Sequence, residues 1–151
     1  MINRFTHVGI AVHELDAAVA AWSEQFGLEV LHRLDVEIEG LRTVMLGSPD
    51  DPGGFCIELL SPLDPTDPTN QVVRFLAKRG EGLFHLAATA TVADVDDAAE
   101  RLSARHVTIV PSPPGPIGPA LAAAVDETAD RVIVAPRSAN GVLVELLQAR
   151  S

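Results

Sequence analysis

Four residues of this chain carry side chains that bind divalent metals, and they form two matching pairs. His7 and His85 each lie near the start of an apolar, strand-like segment, and Glu58 and Glu145 each lie in the middle of another. Imidazole nitrogens and carboxylate oxygens together suit a borderline divalent ion such as zinc, nickel, cobalt or manganese. The order His, Glu, His, Glu therefore indicates a metal site built by internal duplication.

Both glutamates lie on strand faces that carboxylates rarely occupy. With the two-residue alternation of a strand, Glu58 shares its face with Cys56 and Leu60, and the same-face neighbours of Glu145 are both leucines. A buried, unpaired carboxylate costs several kcal/mol, so it requires a cation, a proton or strong donors. One such Glu is more often a salt-bridge or edge-strand residue. Its recurrence at the same place in each half favours a metal ligand.

The two histidines lie beside small side chains. His7 shares its strand face with Gly9 and Ala11, and the same-face neighbours of His85 are alanine and threonine. A single strand histidine is usually a hydrogen-bonded core residue, whereas two equivalent ones on small-residue faces indicate ligands lining a cavity. The other histidines lack this setting and are assigned to turns or the surface: His13, His32 and His106. Four ligands would leave a six-coordinate ion two positions for water or substrate, which allows catalysis.

The elements that position these residues are predicted twice along the chain. The first half predicts a strand at 5–12, a helix at 15–26 ended by Gly27, and strands at 28–38, 41–46 and around Glu58. The inward stripe of that helix is Leu15, Val19, Trp22 and Phe26. A proline-rich connector then leads to a short helix that Asn70 caps and Gly80 ends. The second half predicts a strand at 83–91, a helix near 94–105, and strands from Val107, at 131–135 and at 142–147. Residues 111–119 break regular structure, and 120–125 fit a helix or a strand equally.

Length and composition limit the classes of function. A chain of 151 residues that is 47% hydrophobic fits one compact domain or two small fused modules. There is neither an apolar run long enough to span a membrane nor a signal-peptide pattern. The lone Cys56 agrees with a reducing compartment, and the formal charge of −10 argues against a nucleic-acid partner. We therefore expect a soluble, cytoplasmic protein with no membrane or nucleic-acid partner.

Four segments of the chain resemble the vicinal oxygen chelate superfamily, which includes glyoxalases, bleomycin resistance proteins and dioxygenases. They are residues 6–12, 57–63, 75–87 and 141–148, and they carry the His, Glu, His and Glu in that order. Within the superfamily they look most like the methylmalonyl-CoA epimerase branch. The resemblance implies an α+β fold, in which two βαβββ modules form one open, metal-centred mixed barrel. It implies a first module at 1–63, a connector at 64–80 and a second module at 81–151.

The resemblance also implies a ligand set and a chemistry. His7, His85 and Glu145 would bind one divalent ion, cobalt being favoured and zinc, nickel or manganese being possible, with Glu58 as a direct or water-mediated fourth ligand. The ion acts as a Lewis acid on a developing enolate oxygen, and Glu145 and Glu58 move a proton next to the carbonyl. The implied partners are a small-molecule substrate, with an acyl-CoA as the candidate, and a second copy of the chain in a homodimer.

Three features depart from the epimerase pattern. Bacterial epimerases often carry a Glu on the third strand as one of two opposed bases, and this chain has Thr43 there. Phe84 replaces the first histidine of the family's paired His, and the segment after Val110 is longer and richer in proline and alanine. A pair of metal glutamates, as in glyoxalase I, would supply two carboxylates by another route. Thr43, Lys78 and Arg79 are the candidate substrate-binding residues.

These features favour one function over three alternatives. We expect a metal-dependent epimerase or isomerase of the methylmalonyl-CoA type. A glyoxalase I-type lyase acting on a thiol adduct is the second hypothesis, and the pair of glutamates supports it. The third is a non-catalytic small-molecule-binding resistance protein, a class that usually lacks the full metal set. An extradiol dioxygenase is disfavoured, because two histidines and one carboxylate suffice for its iron and Glu58 would be superfluous.

Overall fold

The computed structural model describes residues 1–90, 95–110 and 127–149, and these ranges contain eight strands and three α-helices. The α+β class is confirmed. The elements are β1 (Ile2–Ala11), α1 (Leu15–Phe26), β2 (Glu29–Val36), β3 (Leu41–Gly47), β4 (Cys56–Pro62), α2 (Gln71–Arg79), β5 (Gly82–Ala90), α3 (Val95–Ser103), β6 (Ile109–Val110), β7 (Glu127–Val134) and β8 (Leu143–Ala149). The predictions for residues 111–125, for the end of the predicted strand at 91 and for the start of the predicted helix at 94 lie outside the described residues. In the described part of the chain, every helix is too short or too polar to cross a membrane.

The chain divides into two compact units. The terminal unit consists of Met1–His7 and His85–Ser151, and the central unit consists of Val8–Phe84. The first strand is therefore divided between them, with His7 as its last residue in the terminal unit. Three of the four predicted ligands belong to the terminal unit, and Glu58 belongs to the central unit.

In the central unit, α1 packs its apolar stripe onto the strands. Leu15 and Val19 are buried together with residues of β3 and β4, among them Val44 and Leu59. The helix ends as predicted, because Gly27 adopts a left-handed φ of 69° and its N–H donates to the carbonyl of Ser23. The predicted inward stripe of α1 is wrong at its last position. Phe26 is 63% exposed, because it is the last residue of the helix and its ring contacts Trp22 of the preceding turn.

The cap of α2 fixes this helix to the turn before β3. The side-chain oxygen of Asn70 accepts from the N–H groups of Val72 and Val73, as the sequence predicted. Its amide nitrogen donates to the carbonyls of Glu39 and Gly40. Gly40 has a φ of 63°, and a Cβ there would lie 3.0 Å from the Asn70 amide nitrogen. Glycine is thus required by both backbone conformation and space.

In the terminal unit, four strands pair in the order β5-β8-β7-β6. The pairing of β5 with β8 is parallel, and that of β8 with β7 is antiparallel. The buried side of α3 contributes Ala98 and Leu102 to a core that includes Ala88 and Leu146. The parallel register places Ala87 opposite Glu145. His85, two residues before Ala87, therefore lies on the same strand face as Glu145.

Candidate metal centre

The terminal unit brings three of the predicted ligands together. The Nε2 atoms of His7 and His85 lie 3.1 Å apart, and an oxygen of Glu145 lies 3.8 Å from the Nε2 of His85. One ligand atom from each of the three residues lies within 4.8 Å of the others. Among the described residues this is the one group of three or more such side chains that could hold a metal ion.

The strands explain why the three side chains meet. The β5–β8 register puts His85 and Glu145 on one face of neighbouring strands, one step apart along the diagonal. On the other side of β5, the hydroxyl of Thr89 donates to the carbonyl of Arg4 on β1, 3.4 Å away. That contact ties β5 to the first part of β1. The portion of β1 that belongs to this unit has His7 as its last residue.

The two imidazole rings approach each other edge to face. Their centroids are 5.2 Å apart and their planes cross at 84°. This arrangement directs both Nε2 atoms toward one point instead of stacking the rings. His7 is 3% exposed and His85 is 5% exposed, whereas the Glu145 side chain retains 12% of its exposure. The carboxylate is therefore the member of the group most open to another molecule.

The donors of this group fit a divalent ion. Two neutral imidazole nitrogens and one carboxylate oxygen form the mixed nitrogen and oxygen set that zinc, cobalt, nickel and manganese accept. The group is buried, so its donors are shielded from competing water. Three protein ligands leave further coordination positions open, which is the composition of a catalytic site rather than of a closed structural one.

Thr6 is the residue of this centre that the sequence reading missed. Its hydroxyl oxygen lies 3.3 Å from the Nδ1 of His7. Strand alternation assigns adjacent residues to opposite faces, so periodicity placed Thr6 away from the ring of His7. The signal that was available is the hydroxyl directly before a candidate ligand, since such ligands need a partner for their second ring nitrogen.

Glu58 is buried as predicted, at 5% exposure, in the middle of β4. It pairs in register with Met45 of β3. Both strands belong to the central unit, whereas His7, His85 and Glu145 belong to the terminal unit. The burial of this carboxylate is established, and its roles as metal ligand and as base stay predictions.

Thr43 lines a cleft of about 370 Å³ in the central unit. It is 4% exposed, and its hydroxyl donates to the carbonyl of Leu34 at 3.5 Å. The cleft is otherwise lined by Asp16, Arg33, Leu34, Asp35, Arg42 and Val44. Its two guanidinium groups already have carboxylate partners, because Arg33 and Arg42 each lie 2.8 Å from an aspartate oxygen. The hydrogen bond from Arg42 lowers the pKa of Asp35, and the same contact raises the pKa of Arg42.

Lys78 and Arg79 form an exposed basic end of α2. The Arg79 guanidinium carbon lies 5.7 Å from the ring centroid of Phe75, at the distance of a cation–π contact. Phe75 in turn meets Phe84 edge to face, with centroids 5.2 Å apart. The helix carries no acidic residue, so this end is locally basic in a strongly acidic chain.

Comparisons with known proteins show similarity over most of the chain. A family model described as the Glyoxalase/Bleomycin resistance protein/Dioxygenase superfamily matches residues 6–122. An ethylmalonyl-CoA/methylmalonyl-CoA epimerase of Cereibacter sphaeroides is 32% identical over 148 residues, which cover 98% of this chain and 99% of that protein.

Solved structures of high similarity carry related names. A variant of the Streptomyces coelicolor methylmalonyl-CoA epimerase, in complex with 2-nitronate-propionyl-CoA, superposes with a TM-score of 0.79 at 31% identity, covering 100% of this chain and 97% of that one. The methylmalonyl-CoA epimerase of Mycobacterium tuberculosis gives a TM-score of 0.78 at 28% identity, covering 99% of this chain and 90% of that one. The family model spans more than half of the sequence, and the chain therefore belongs to the glyoxalase, bleomycin resistance protein and dioxygenase superfamily.

Proposed function

We propose that this protein is a divalent-metal-dependent epimerase that moves a proton next to the carbonyl of an acyl-CoA thioester, with methylmalonyl-CoA as the first substrate to test. The observation that carries the proposal is the buried convergence of His7, His85 and Glu145. Relatives that match nearly the whole chain and bear the name of this activity support it. Cobalt is the favoured metal, and zinc, nickel and manganese are the alternatives.

The chemistry divides between the ion and the side chains. A bound divalent ion would supply Lewis-acid stabilisation of an enolate oxygen. His7 and His85 would hold the ion from a buried position and take no part in the proton transfer. The Glu145 carboxylate retains more exposure than the histidines, so it is the group suited to take the α-proton at one oxygen and return it.

The second carboxylate of the proposal is Glu58. Epimerisation requires a proton to leave one face of the α-carbon and return to the other, so two acid–base groups or one mobile group must serve both faces. The Thr43 hydroxyl does not accept a proton near neutral pH, whereas a buried glutamate can. We therefore assign Glu58 to the ligand set and to the second proton transfer, with Thr43, Lys78 and Arg79 as candidate contacts to the acyl and CoA groups.

Deuterium incorporation tests the proposal. Purified protein is analysed for its metal content, loaded with cobalt or zinc, and incubated with methylmalonyl-CoA in D₂O while the α-proton is followed by NMR. We expect exchange that depends on the metal and disappears in His85→Ala. The control is His32→Ala, a half-buried histidine on β2 outside the group. Absence of exchange in fully loaded wild-type protein would exclude this substrate.

A glyoxalase I-type lyase is the second candidate, and the burial of Glu58 favours it. A buried carboxylate in addition to Glu145 is the arrangement that isomerisation of a thiol hemithioacetal requires, with one carboxylate on each side of the reacting carbons. The same metal-loaded protein is assayed with the hemithioacetal of methylglyoxal and glutathione. Thioester formation without methylmalonyl-CoA exchange would assign the protein to the lyase class.

A further inference from the structure

The second ring nitrogen of His7 has a specific neighbour. Thr6 and His7 are 5% and 3% exposed, and the Thr6 hydroxyl oxygen lies 3.3 Å from the His7 Nδ1. On the other side of the ring, the His7 Nε2 lies 3.1 Å from the His85 Nε2. Both nitrogens of one buried ring thus lie at hydrogen-bond distance from a defined atom.

These two contacts constrain where the ring proton lies. A neutral imidazole carries one N–H, on either Nδ1 or Nε2. Because two Nε2 atoms face each other, one of them donates and the other accepts in the metal-free protein. If the His7 proton is on Nδ1, it requires an acceptor there, and its Nε2 is the acceptor in the contact with His85. If His7 binds a metal through Nε2, its ring must be in this Nδ1–H form, because only then is the Nε2 lone pair available.

We propose that Thr6 is a positioning residue of the metal centre, whose hydroxyl accepts a hydrogen bond from the Nδ1–H of His7 and so presents the Nε2 lone pair to the ion. The inference rests on the proposed metal-dependent function. General experience of metal sites supports it, because a metal-bound histidine usually donates its other N–H to a fixed acceptor. Here a hydroxyl takes the place of the more common carboxylate or backbone carbonyl.

The side-chain chemistry of threonine suits this role. Its branched Cβ restricts the χ1 angle on a strand, so the hydroxyl is held in place at little entropic cost. Valine has nearly the same shape and lacks the hydroxyl, so Thr6→Val removes the acceptor while it preserves packing. Thr6→Ser keeps the hydroxyl and removes a methyl group, which makes it the matched control.

The experiment has two readouts at one fixed pH. Long-range ¹⁵N–¹H spectra of the metal-free protein, with His7 assigned by its loss in His7→Ala, report which nitrogen of the ring carries the proton. Competition with a chromophoric chelator measures the affinities for cobalt and zinc. Thermal unfolding of each variant verifies that it is folded.

We expect the Nδ1–H form of His7 in the wild type and in Thr6→Ser, and a shift toward the Nε2–H form in Thr6→Val. Metal affinity falls about 10- to 100-fold in Thr6→Val and stays near the wild-type value in Thr6→Ser. A folded Thr6→Val protein with the wild-type ring form overturns the inference, as does one with wild-type affinity. If the wild type binds neither metal, the metal-dependent function fails, and the ring spectra still decide whether Thr6 fixes the His7 proton.

Discussion

At the scale of the residue, the centre joins two buried imidazole rings to a less buried carboxyl group. His7 and His85 are almost completely buried and face each other through their Nε2 atoms, so a proton on both at once would place two positive charges 3.1 Å apart. Neutral rings are the form that a metal accepts. The carboxyl group of Glu145 lies beside them, 3.8 Å from the Nε2 of His85, and its side chain is the most exposed of the three.

Replacing Glu145 by glutamine tests its part in proton transfer. Glutamine has nearly the same shape and retains a coordinating oxygen, but it does not act as a base. We expect Glu145→Gln to lower the exchange rate at saturating metal by about 10²- to 10⁴-fold, with little change in the unfolding temperature. Glu24→Gln, at an exposed glutamate of α1, is the control. Full activity in Glu145→Gln would remove this residue from the mechanism.

The candidate ligands could be selected from sequence, whereas the contact of Thr6 with His7 could not. A histidine or glutamate in an apolar strand can be recognised in the sequence because its expected burial conflicts with its polarity. The sequence does not predict the contact between Thr6 and the His7 ring, because that contact depends on the χ angles of two adjacent side chains. Glu58 shows the intermediate case, in which burial was predicted correctly and the function of the buried group was not determined.

At the scale of the element, short-range signals predicted boundaries well. Gly27 ends α1 and Asn70 begins α2 in the way that local capping chemistry requires. The pairing of β5 with β8 had no such signal. Alternation tells which face a residue occupies and says nothing of which strand lies beside it, so the register that joins His85 to Glu145 is information from the structure alone.

We expect the Asn70 cap to contribute to the stability of the central unit. Asn70→Ala removes an acceptor for two helix N–H groups and a donor to two carbonyls near Gly40. We expect a loss of about 1–2 kcal/mol in the free energy of unfolding, the upper part of the range for a helix cap. Urea denaturation measures it, and Gln71→Ala at the exposed next position is the control. Equal stability of the two variants would show that the cap contributes nothing.

The Asp35–Arg42 pair across β2 and β3 makes a prediction about pH. The pKa of Asp35 is lowered chiefly by its hydrogen bond from Arg42. A lowered carboxyl pKa contributes stability above its unfolded-state value, and this contribution is lost as pH falls through the folded-state value. We expect Arg42→Met to raise the Asp35 pKa toward 3.8 in an NMR titration. Arg101→Met, which breaks the separate pair with Asp97, should leave it unchanged. An unchanged Asp35 pKa in Arg42→Met would contradict this assignment.

At the scale of the whole molecule, the sequence contains a repeat, and the contacts group the chain into two compact units with different bounds. The resemblance to the superfamily predicted modules at 1–63 and 81–151, and these bounds stay a prediction. The compact units describe contacts, and they divide β1 after His7. As a result, one candidate ligand from the first residues of the chain, one from just past its middle and one from near its end lie in the terminal unit. The division could not be predicted, because repeated strands of equal apolar character offer more than one set of partners.

Metal loading should therefore act on the terminal unit first. An ion present at about 100 times its Kd stabilises the folded state by about 2.7 kcal/mol, which for a chain of this size is an increase of about 5–10 °C in unfolding temperature. We expect calorimetry to show this increase with cobalt or zinc, its reversal by a chelator, and its absence in His85→Ala. Glu58→Ala, which removes both carboxylate oxygens, then tests the fourth ligand. If Glu58 binds the ion, the variant loses part of the increase, whereas the full increase would confine the ligand set to His7, His85 and Glu145.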